Sequence, residues 1–116
     1  MLAKIVSYLA PNRSITNRFA TASANTNVTL TMTGILGIRH VAHNIQWSYS
    51  GTPAGGNITI TDGGSTICNV DIIAGGPGAL SAFFSGSIGN TLIITLNAGG
   101  GIIVGKLSCQ TTEEVI

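Results

Sequence analysis

Charge is the scarcest property of this sequence. Only 8% of its 116 residues are Asp, Glu, Lys or Arg, whereas a typical soluble domain has about 25%. Because the formal net charge is +1, general attraction to nucleic acid or to an anionic membrane is not expected. So few charges also leave little electrostatic repulsion between copies, which is a first indication that neighbouring subunits cover part of the surface.

Long apolar runs and cysteines are scarce as well. No run of about 18 apolar residues is present, so no membrane-spanning helix is expected. Two cysteines are too few for the disulfide framework of a small secreted domain. A chain of this length buries enough surface to fold without a metal or a disulfide. We therefore expect one domain, no cofactor, and neither a membrane nor a nucleic acid as partner.

Glycine and β-branched residues are abundant instead. The chain has 16 glycines and 44% apolar residues, a composition that favours strands and turns over disorder. In the segment NVTLTMT, the apolar residues Val28, Leu30 and Met32 alternate with threonines. Strict alternation of this kind is typical of a strand with one buried face.

The central stretch, residues 43–71, has the strongest strand and turn signals. Two alternating segments flank the loop GTPAGG, and the turn DGG begins a third segment. The only tryptophan lies in the first of these segments. The alternation predicts that one face of this long strand carries Val41, His43, Ile45, Trp47 and Tyr49.

Similar segments continue as far as residue 110. They make about seven or eight short strands, with turn residues about every 8 to 12 positions and no helix-length segment between them. We predict an all-β fold, namely a single antiparallel, jelly-roll-like β-sandwich over residues 27–110. An exposed tail is predicted over residues 111–116.

Residues 1–26 are predicted to form an N-terminal arm. Apolar residues from Leu2 to Leu9 recur at helical spacing until Pro11, which allows a short helix, and the polar segment that follows has few apolar anchors. Basic residues gather near this end and Glu113 and Glu114 near the other, which fits either two solvated tails or an arm that docks on a neighbour. The docking hypothesis predicts these partner-binding residues: Leu2, Lys4, Ile5, Leu9, Arg13, Arg18 and Phe19.

No set of residues indicates an enzyme or a metal site. His40 and His43 are three positions apart on a predicted strand, so they point to opposite faces and are interpreted as structural. Asp62 precedes two glycines, which explains it as a turn residue and not as the partner of Asp71 in glycoside hydrolysis. The glycine-rich loops lack the spacing of phosphate-binding motifs.

Two further pairs leave alternatives open. Cys68 and Cys109 both fall on inward positions; a disulfide is possible if their strands are neighbours, but two buried free thiols are the favoured interpretation. Trp47 and Tyr49 share a face, where they either pack in the core or form a sugar-stacking platform. Core packing is favoured, because the apolar residues Val41 and Ile45 are predicted to lie on the same face of the strand as Trp47 and Tyr49.

Residues 45–108 resemble a set of small β-sandwich proteins of tailed bacteriophages, which are encoded among virion structural genes. The resemblance lies in turn and strand signatures at positions 47–56, 62–63, 74–78 and 98–107. It implies a virion structural protein of the capsid cement or decoration type, often a homotrimer over the joints between capsomers. Other proteins of this kind are tail or neck accessories.

The hypothesis from the resemblance is a non-enzymatic cement protein, assembled in the host bacterial cytoplasm and located in the virion. Its expected partners are its own copies, the major capsid protein and other virion subunits. The alternatives are a tail or neck accessory and a carbohydrate-binding β-sandwich module that uses exposed aromatic residues.

Overall fold

The computed structural model describes residues 15–115 of the chain. Within that range there are strands and no helix, so none that is long and apolar enough to cross a membrane. The short helix predicted near the start falls outside the described residues. The strands are β1 (Thr16–Thr21), β2 (Val28–Met32), β3 (Ile38–Tyr49), β4 (Asn57–Asp62), β5 (Ser65–Asp71), β6 (Gly78–Leu80), β7 (Phe84–Ser85), β8 (Leu92–Leu96) and β9 (Gly105–Val115).

These strands form two antiparallel sheets that pack face to face. The first sheet has the order β1-β9-β3-β6, with β7 also paired to β3. The second sheet has the order β2-β8-β4-β5. Because β2 and β3 follow each other in the chain but lie in different sheets, the connection between them crosses from one layer to the other. The prediction of an all-β antiparallel sandwich is confirmed.

The second sheet supplies one half of the core by strict alternation. In β2, Val28, Leu30 and Met32 are buried and the threonines between them are exposed. Each large aliphatic side chain adds about 1.5–3 kcal/mol of hydrophobic stabilisation when it is fully buried. The alternating segments predicted here are confirmed, and β4 and β8 extend the same layer with Ile58, Ile60, Leu92, Ile94 and Leu96.

A β-bulge interrupts β3. Its register against β9 shifts between His43 and Gln46, so that two residues, Asn44 and Ile45, oppose one residue of β9. Asn44 has a φ of 51°, a left-handed conformation in which asparagine is several times more common than other non-glycine residues.

The bulge reverses the alternation predicted for the long strand. Val41 and His43 were predicted to share a face with Ile45, and this was wrong because the extra residue changes the phase between them. Upstream of the bulge the core position is held by Ala42 and not by its neighbours. The side chains that β3 packs against the core are Ala42, Ile45, Trp47 and Tyr49.

β1 lies inside the range predicted as an arm. It pairs with β9 along its whole length, from Thr16 opposite Thr111 to Thr21 opposite Lys106. Residues 16–21 are therefore part of the sheet and not of an arm. The alternation was hard to recognise because the inward positions of β1 carry a long polar side chain and a small one instead of large aliphatic residues.

β9 likewise extends through the range predicted as a tail. It pairs with β3 as far as Val115 opposite Ile38, and Thr111 is only 1% exposed. Residues 111–115 therefore form strand. Glu114 pairs with Arg39 across the two strands at 3.3 Å, and because both side chains are partly exposed this ion pair adds little stability.

Candidate functional site

β1 directs two of the predicted partner-binding residues to opposite sides. Phe19 points away from the core and is 82% exposed. Arg18 points inward at the edge of the sandwich, where its Nε donates a 2.9 Å hydrogen bond to Oγ1 of Thr111. Arg18 therefore has a role within its own chain that was not predicted. The other predicted partner-binding residues lie outside the described range: Leu2, Lys4, Ile5, Leu9 and Arg13.

Phe19 stands on the outer face of the first sheet among polar side chains. Phe19 on β1 lies opposite Ser108 on β9, which in turn lies opposite Gln46 on β3. Since residues directly opposite each other share a face, these three form a row across the strands. We call the surface around this row the Phe19 face and define it by Asn17, Phe19, Asn44, Gln46, Ser108 and Gln110.

A line of three amide side chains crosses the same face. Nδ2 of Asn44 donates a 2.6 Å hydrogen bond to Oε1 of Gln110, and Nε2 of Gln110 donates a 3.1 Å bond to Oδ1 of Asn17. The line thus begins with the carbonyl oxygen of Asn44 and ends with the NH₂ group of Asn17. Within residues 15–115 neither of these end groups makes a further hydrogen bond, so both are available to a ligand.

Two shallow depressions adjoin Phe19. One has a volume of about 320 Å³ and extends from Phe19 towards Lys106. The other has a volume of about 260 Å³ and extends from Phe19 over the amide line. Both are lined by Gln46 and Ser108. Ser108 lies on β9 between Phe19 of β1 and Gln46 of β3, and its small side chain leaves a depression between these two larger ones. Their volumes are near the lower limit of small-molecule sites.

One end of the sandwich carries a group of exposed apolar residues. Leu36, in the connection from β2 to β3, is 97% exposed. The loop between β7 and β8 lies beside this connection, because the backbone N–H of Gly89 donates a hydrogen bond to the carbonyl of Ile38 at the start of β3. We call this surface the Leu36 end and define it by Ile35, Leu36, Ile88 and Val115, all of them exposed.

The opposite end also exposes large apolar side chains. Ile102, between β8 and β9, is 87% exposed, and Ile73, between β5 and β6, is 85% exposed. Their loops are tied to the end of β3 by backbone hydrogen bonds, among them Ser50 N–H to the carbonyl of Val104. We call Ile73 and Ile102 the Ile102 end. Single exposed apolar residues are ordinary, but groups of them at both ends of one sandwich are typical of contact surfaces.

The two histidines have separate structural contacts. His40 is 2% exposed, and its Nε2–H donates a 2.7 Å hydrogen bond to the carbonyl of Thr33. The ring of His43 lies against Phe83, with 5.1 Å between the ring centroids. Over the described range, no group of three or more His, Cys, Asp and Glu side chains is placed to hold a metal ion.

Trp47 and Tyr49 do not form an exposed platform. Tyr49 is 6% exposed and its hydroxyl donates a 2.8 Å hydrogen bond to the carbonyl of Asn97. Trp47 is half-buried against the core, and its indole ring fills the space beside Gly78 where a side chain would clash. The core interpretation of the pair is therefore confirmed.

The two aspartates lie at opposite ends of β4 and β5. Asp62 accepts hydrogen bonds from the backbone N–H of Ser87 at 3.0 Å and from its hydroxyl at 2.9 Å. The backbone bond is the main reason that the pKa of Asp62 is lowered. Asp71 lies opposite Asn57, about 17 Å along β4 from Asp62. This separation is too large for a pair of catalytic carboxylates.

Both cysteines are free thiols. Cys109 is buried in the centre of the first sheet, whereas Cys68 is half-buried on β5, at the edge of the second sheet. Burial raises the pKa of Cys68, and it raises the pKa of Cys109 to about 11 against the opposing effect of the Arg18 charge. The prediction of two buried free thiols is confirmed for Cys109, whereas Cys68 is a free thiol that is only half-buried.

We expect Cys109 to resist thiol reagents in the folded protein and Cys68 to react first. With a pKa of about 11, only about one Cys109 thiol in a thousand is ionised near pH 8, and the thiolate is the reactive form. Because the pKa is raised, reaction should accelerate as the pH approaches 11. Time courses with an aromatic disulfide reagent measure this. The fast phase should persist in Cys109→Ala and vanish in Cys68→Ala; the opposite assignment would contradict the burial described above.

Comparison with known proteins provides similarity of fold only. No family model matches the chain, and no curated protein is similar to it in sequence. The CBM36-1 domain of a multidomain xylanase from the hindgut metagenome of Trinervitermes trinervoides is 12% identical, with a TM-score of 0.47 over 79% of this chain and 74% of that one. A carbohydrate-binding module CBM36 in complex with calcium and xylotriose is 13% identical, with a TM-score of 0.41 over 90% of this chain and 96% of that one.

A third solved structure belongs to another class of protein. A Bacillus endospore appendage, from a family of disulfide-linked pili, is 14% identical, with a TM-score of 0.46 over 90% of this chain and 91% of that one. Since all three TM-scores are below 0.5, none of these similarities bears on function. The β-sandwich fold is established by the strand order of the two sheets.

The amide line was not predicted from the sequence. Asn44 and Gln110 are 66 positions apart, and Gln110 and Asn17 are 93 positions apart, so only the pairing of β1, β9 and β3 brings them together. The alternation predicted for the long strand leaves Asn44 and Gln46 on the face opposite Ile45 and Trp47, and this was the one available signal. Amides on the outer side of a strand are most often simply solvated.

Proposed function

We propose that this protein is a non-enzymatic structural protein of a virion, specifically a capsid cement protein that stabilises the phage head through contacts between subunits. The observation that carries this proposal is the presence of exposed apolar residues at both ends of the sandwich, foremost Leu36 and Ile102. Burial of side chains of this size in an interface contributes about 1.5–3 kcal/mol each. A subunit with two such ends joins neighbours on both sides.

Three further observations support the proposal. Only 8% of the residues are charged, so little repulsion opposes close packing of copies. The longest strands, β3 and β9, pair from one end of the sandwich to the other, which gives a stiff connection between the two contact surfaces. The resemblance of residues 45–108 to small phage β-sandwich proteins supports the virion as the setting.

The proposed partners are other copies of this chain, in a homotrimer, together with the major capsid protein. Assembly takes place in the host bacterial cytoplasm, and the assembled protein is part of the virion. A tail or neck accessory would use the same two ends, so the position of the protein on the particle separates the two roles. A carbohydrate-binding platform made by Trp47 and Tyr49 gains no support, because Tyr49 is buried and Trp47 is packed against the core.

We expect aspartate at either end to abolish decoration of particles. Leu36→Asp and Ile102→Asp each place a charge where the proposal requires a dry contact, and an unpaired buried charge is strongly unfavourable. Thr31→Asp, at an exposed position of β2, is the matched control and should bind normally. Binding is measured by co-sedimentation with heads that lack the protein, and cryo-electron microscopy then locates the wild-type protein on the head or the tail.

Purified protein also allows two further tests, one of the oligomeric state and one of the predicted docking of the N-terminal arm on a neighbouring subunit. Light scattering should give a mass three times the 11.8 kDa of one chain. Deletion of residues 1–14 leaves β1 in place and should weaken decoration if the arm docks on a neighbour. Normal decoration by both aspartate variants, or a wild-type chain that binds neither heads nor tails, would refute the assembly proposal.

A further inference from the structure

We propose that the Phe19 face binds an uncharged oligosaccharide. This surface lies on the outer side of the first sheet, between the two apolar ends, and it shares no residue with either of them. The inference is therefore independent of the assembly proposed above. It also differs from a sugar platform on Trp47 and Tyr49, because its exposed aromatic ring is Phe19 of β1, although the half-buried Trp47 also lines the larger depression.

Phe19 provides the apolar contact. Its ring is 82% exposed, so it adds little to the core, while the residues opposite it on β9 and β3 are the polar Ser108 and Gln46. The ring therefore stands at the side of a polar floor. The C–H side of a sugar ring is apolar and carries partial positive charge, and an aromatic face, which is electron-rich, is its natural partner.

The amide line provides the polar contacts. Sugar hydroxyl groups both donate and accept hydrogen bonds, and an amide side chain offers both an NH₂ donor and a carbonyl acceptor. Gln110 is held on both sides, at 2.6 Å by Asn44 and at 3.1 Å by Asn17. These side chains are already ordered before binding, so less conformational entropy is lost when a ligand arrives.

The spacing of the face suits consecutive sugar units. Along β9, the outward residues Lys106, Ser108 and Gln110 are two positions apart, which separates the rows across the sheet by about 6.8 Å. This distance is close to the size of one sugar ring. The depressions of about 320 and 260 Å³ lie on either side of the row that contains Ser108. They can hold neighbouring units of one chain, with Phe19 in contact with both.

The charges on the face favour an uncharged ligand. Among residues 15–115, Lys106 is the one charged side chain that projects outward here, and it lies at the rim of the larger depression. Arg18 lines the smaller depression, but its Nε is bonded inward to Thr111. Nucleic acids are held by several cations along their phosphates, and extended peptides add to an open strand edge and not to the face of a sheet.

The test is binding of the full chain to a microarray of short neutral oligosaccharides built from glucose, mannose, galactose and xylose, followed by calorimetric titration of the best ligand. Phe19→Ala and Gln110→Ala should each weaken binding by about tenfold or more. Phe83→Ala is the matched control, because Phe83 is also exposed, at 71%, but lines neither depression. This variant should bind like the wild type. Circular dichroism verifies that all three variants fold.

Four outcomes would overturn the inference. The first is that no neutral oligosaccharide on the array binds. The second is binding that Phe19→Ala leaves unchanged. The third is binding restricted to an added set of acidic oligosaccharides and lost in Lys106→Gln, which would indicate a charge-driven surface. The fourth is self-association that Phe19→Ala abolishes without any sugar binding, which would make this face a contact with a second copy.

Discussion

Leu96→Ala is expected to lower the free energy of unfolding by about 2–5 kcal/mol. Leu96 is fully buried on β8, between Val28 of β2 and Ile58 of β4, and its Cδ2 packs next to Gly105 in the opposite sheet. Removal of this side chain leaves a cavity between the two sheets that neighbouring strands cannot close without a change in register. Urea denaturation followed by the fluorescence of Trp47 measures the effect.

The matched control is the same substitution at an exposed leucine. Leu36 is 97% exposed, so Leu36→Ala should change the free energy of unfolding by less than about 0.5 kcal/mol. Both variants are compared at a protein concentration where no association is detected. A similar loss in the two variants would contradict the core described above, because it would mean that Leu96 and Leu36 are equally buried or equally exposed.

Gly75→Ala is expected to cost about 1–3 kcal/mol of stability. A β-carbon on Gly75 would overlap the backbone carbonyl of Gly51, and neither neighbour is free to move away. The carbonyl of Gly75 accepts a 2.9 Å hydrogen bond from the N–H of Tyr49, so a shift of this loop breaks a bond at the end of β3. Thermal or urea unfolding of the variant measures the loss.

The adjacent glycine is a close control for Gly75→Ala. Nothing lies within 4 Å of a β-carbon added to Gly76, and its φ is not in the left-handed range. Gly76→Ala should therefore be neutral or should stabilise the protein by up to about 1 kcal/mol, because alanine has fewer conformations in the unfolded chain. If Gly75→Ala is as stable as Gly76→Ala, the close approach between residues 51 and 75 is not present.

Most of the fold was predictable where alternation is regular. β2, β4 and β8 alternate large aliphatic residues with threonine, so their bounds and their buried faces follow from the sequence. β1 was missed because its inward positions hold Arg18 and Ala20, and the last part of β9 because Glu113 and Glu114 resemble a solvated tail. Which side chains of β3 face the core was not predictable on both sides of the bulge. No residue near Asn44 indicates a bulge in the sequence, and the pairing with β9 sets the register.

Less of the candidate site was predictable. The exposure of Phe19 was foreseen in part, since it was identified as an anchor for a partner, but its surroundings were not. Ser108, Gln110 and Gln46 meet Phe19 only through pairings between strands that are far apart in the chain. The apolar ends were equally hidden, because Leu36 and Ile102 appear in the sequence as ordinary loop residues.

The position of β9 between β1 and β3 has a consequence for biosynthesis. Until residues 105–115 have left the ribosome, β1 has no strand to pair with, and β3 has only the short strands β6 and β7. The core therefore lacks Leu107 and Cys109 while most of the protein is translated, a period in which aggregation competes with folding. A stop codon before residue 105 would leave the second sheet complete but would remove β9 from the middle of the first sheet. We therefore expect cellular proteases to degrade the truncated protein.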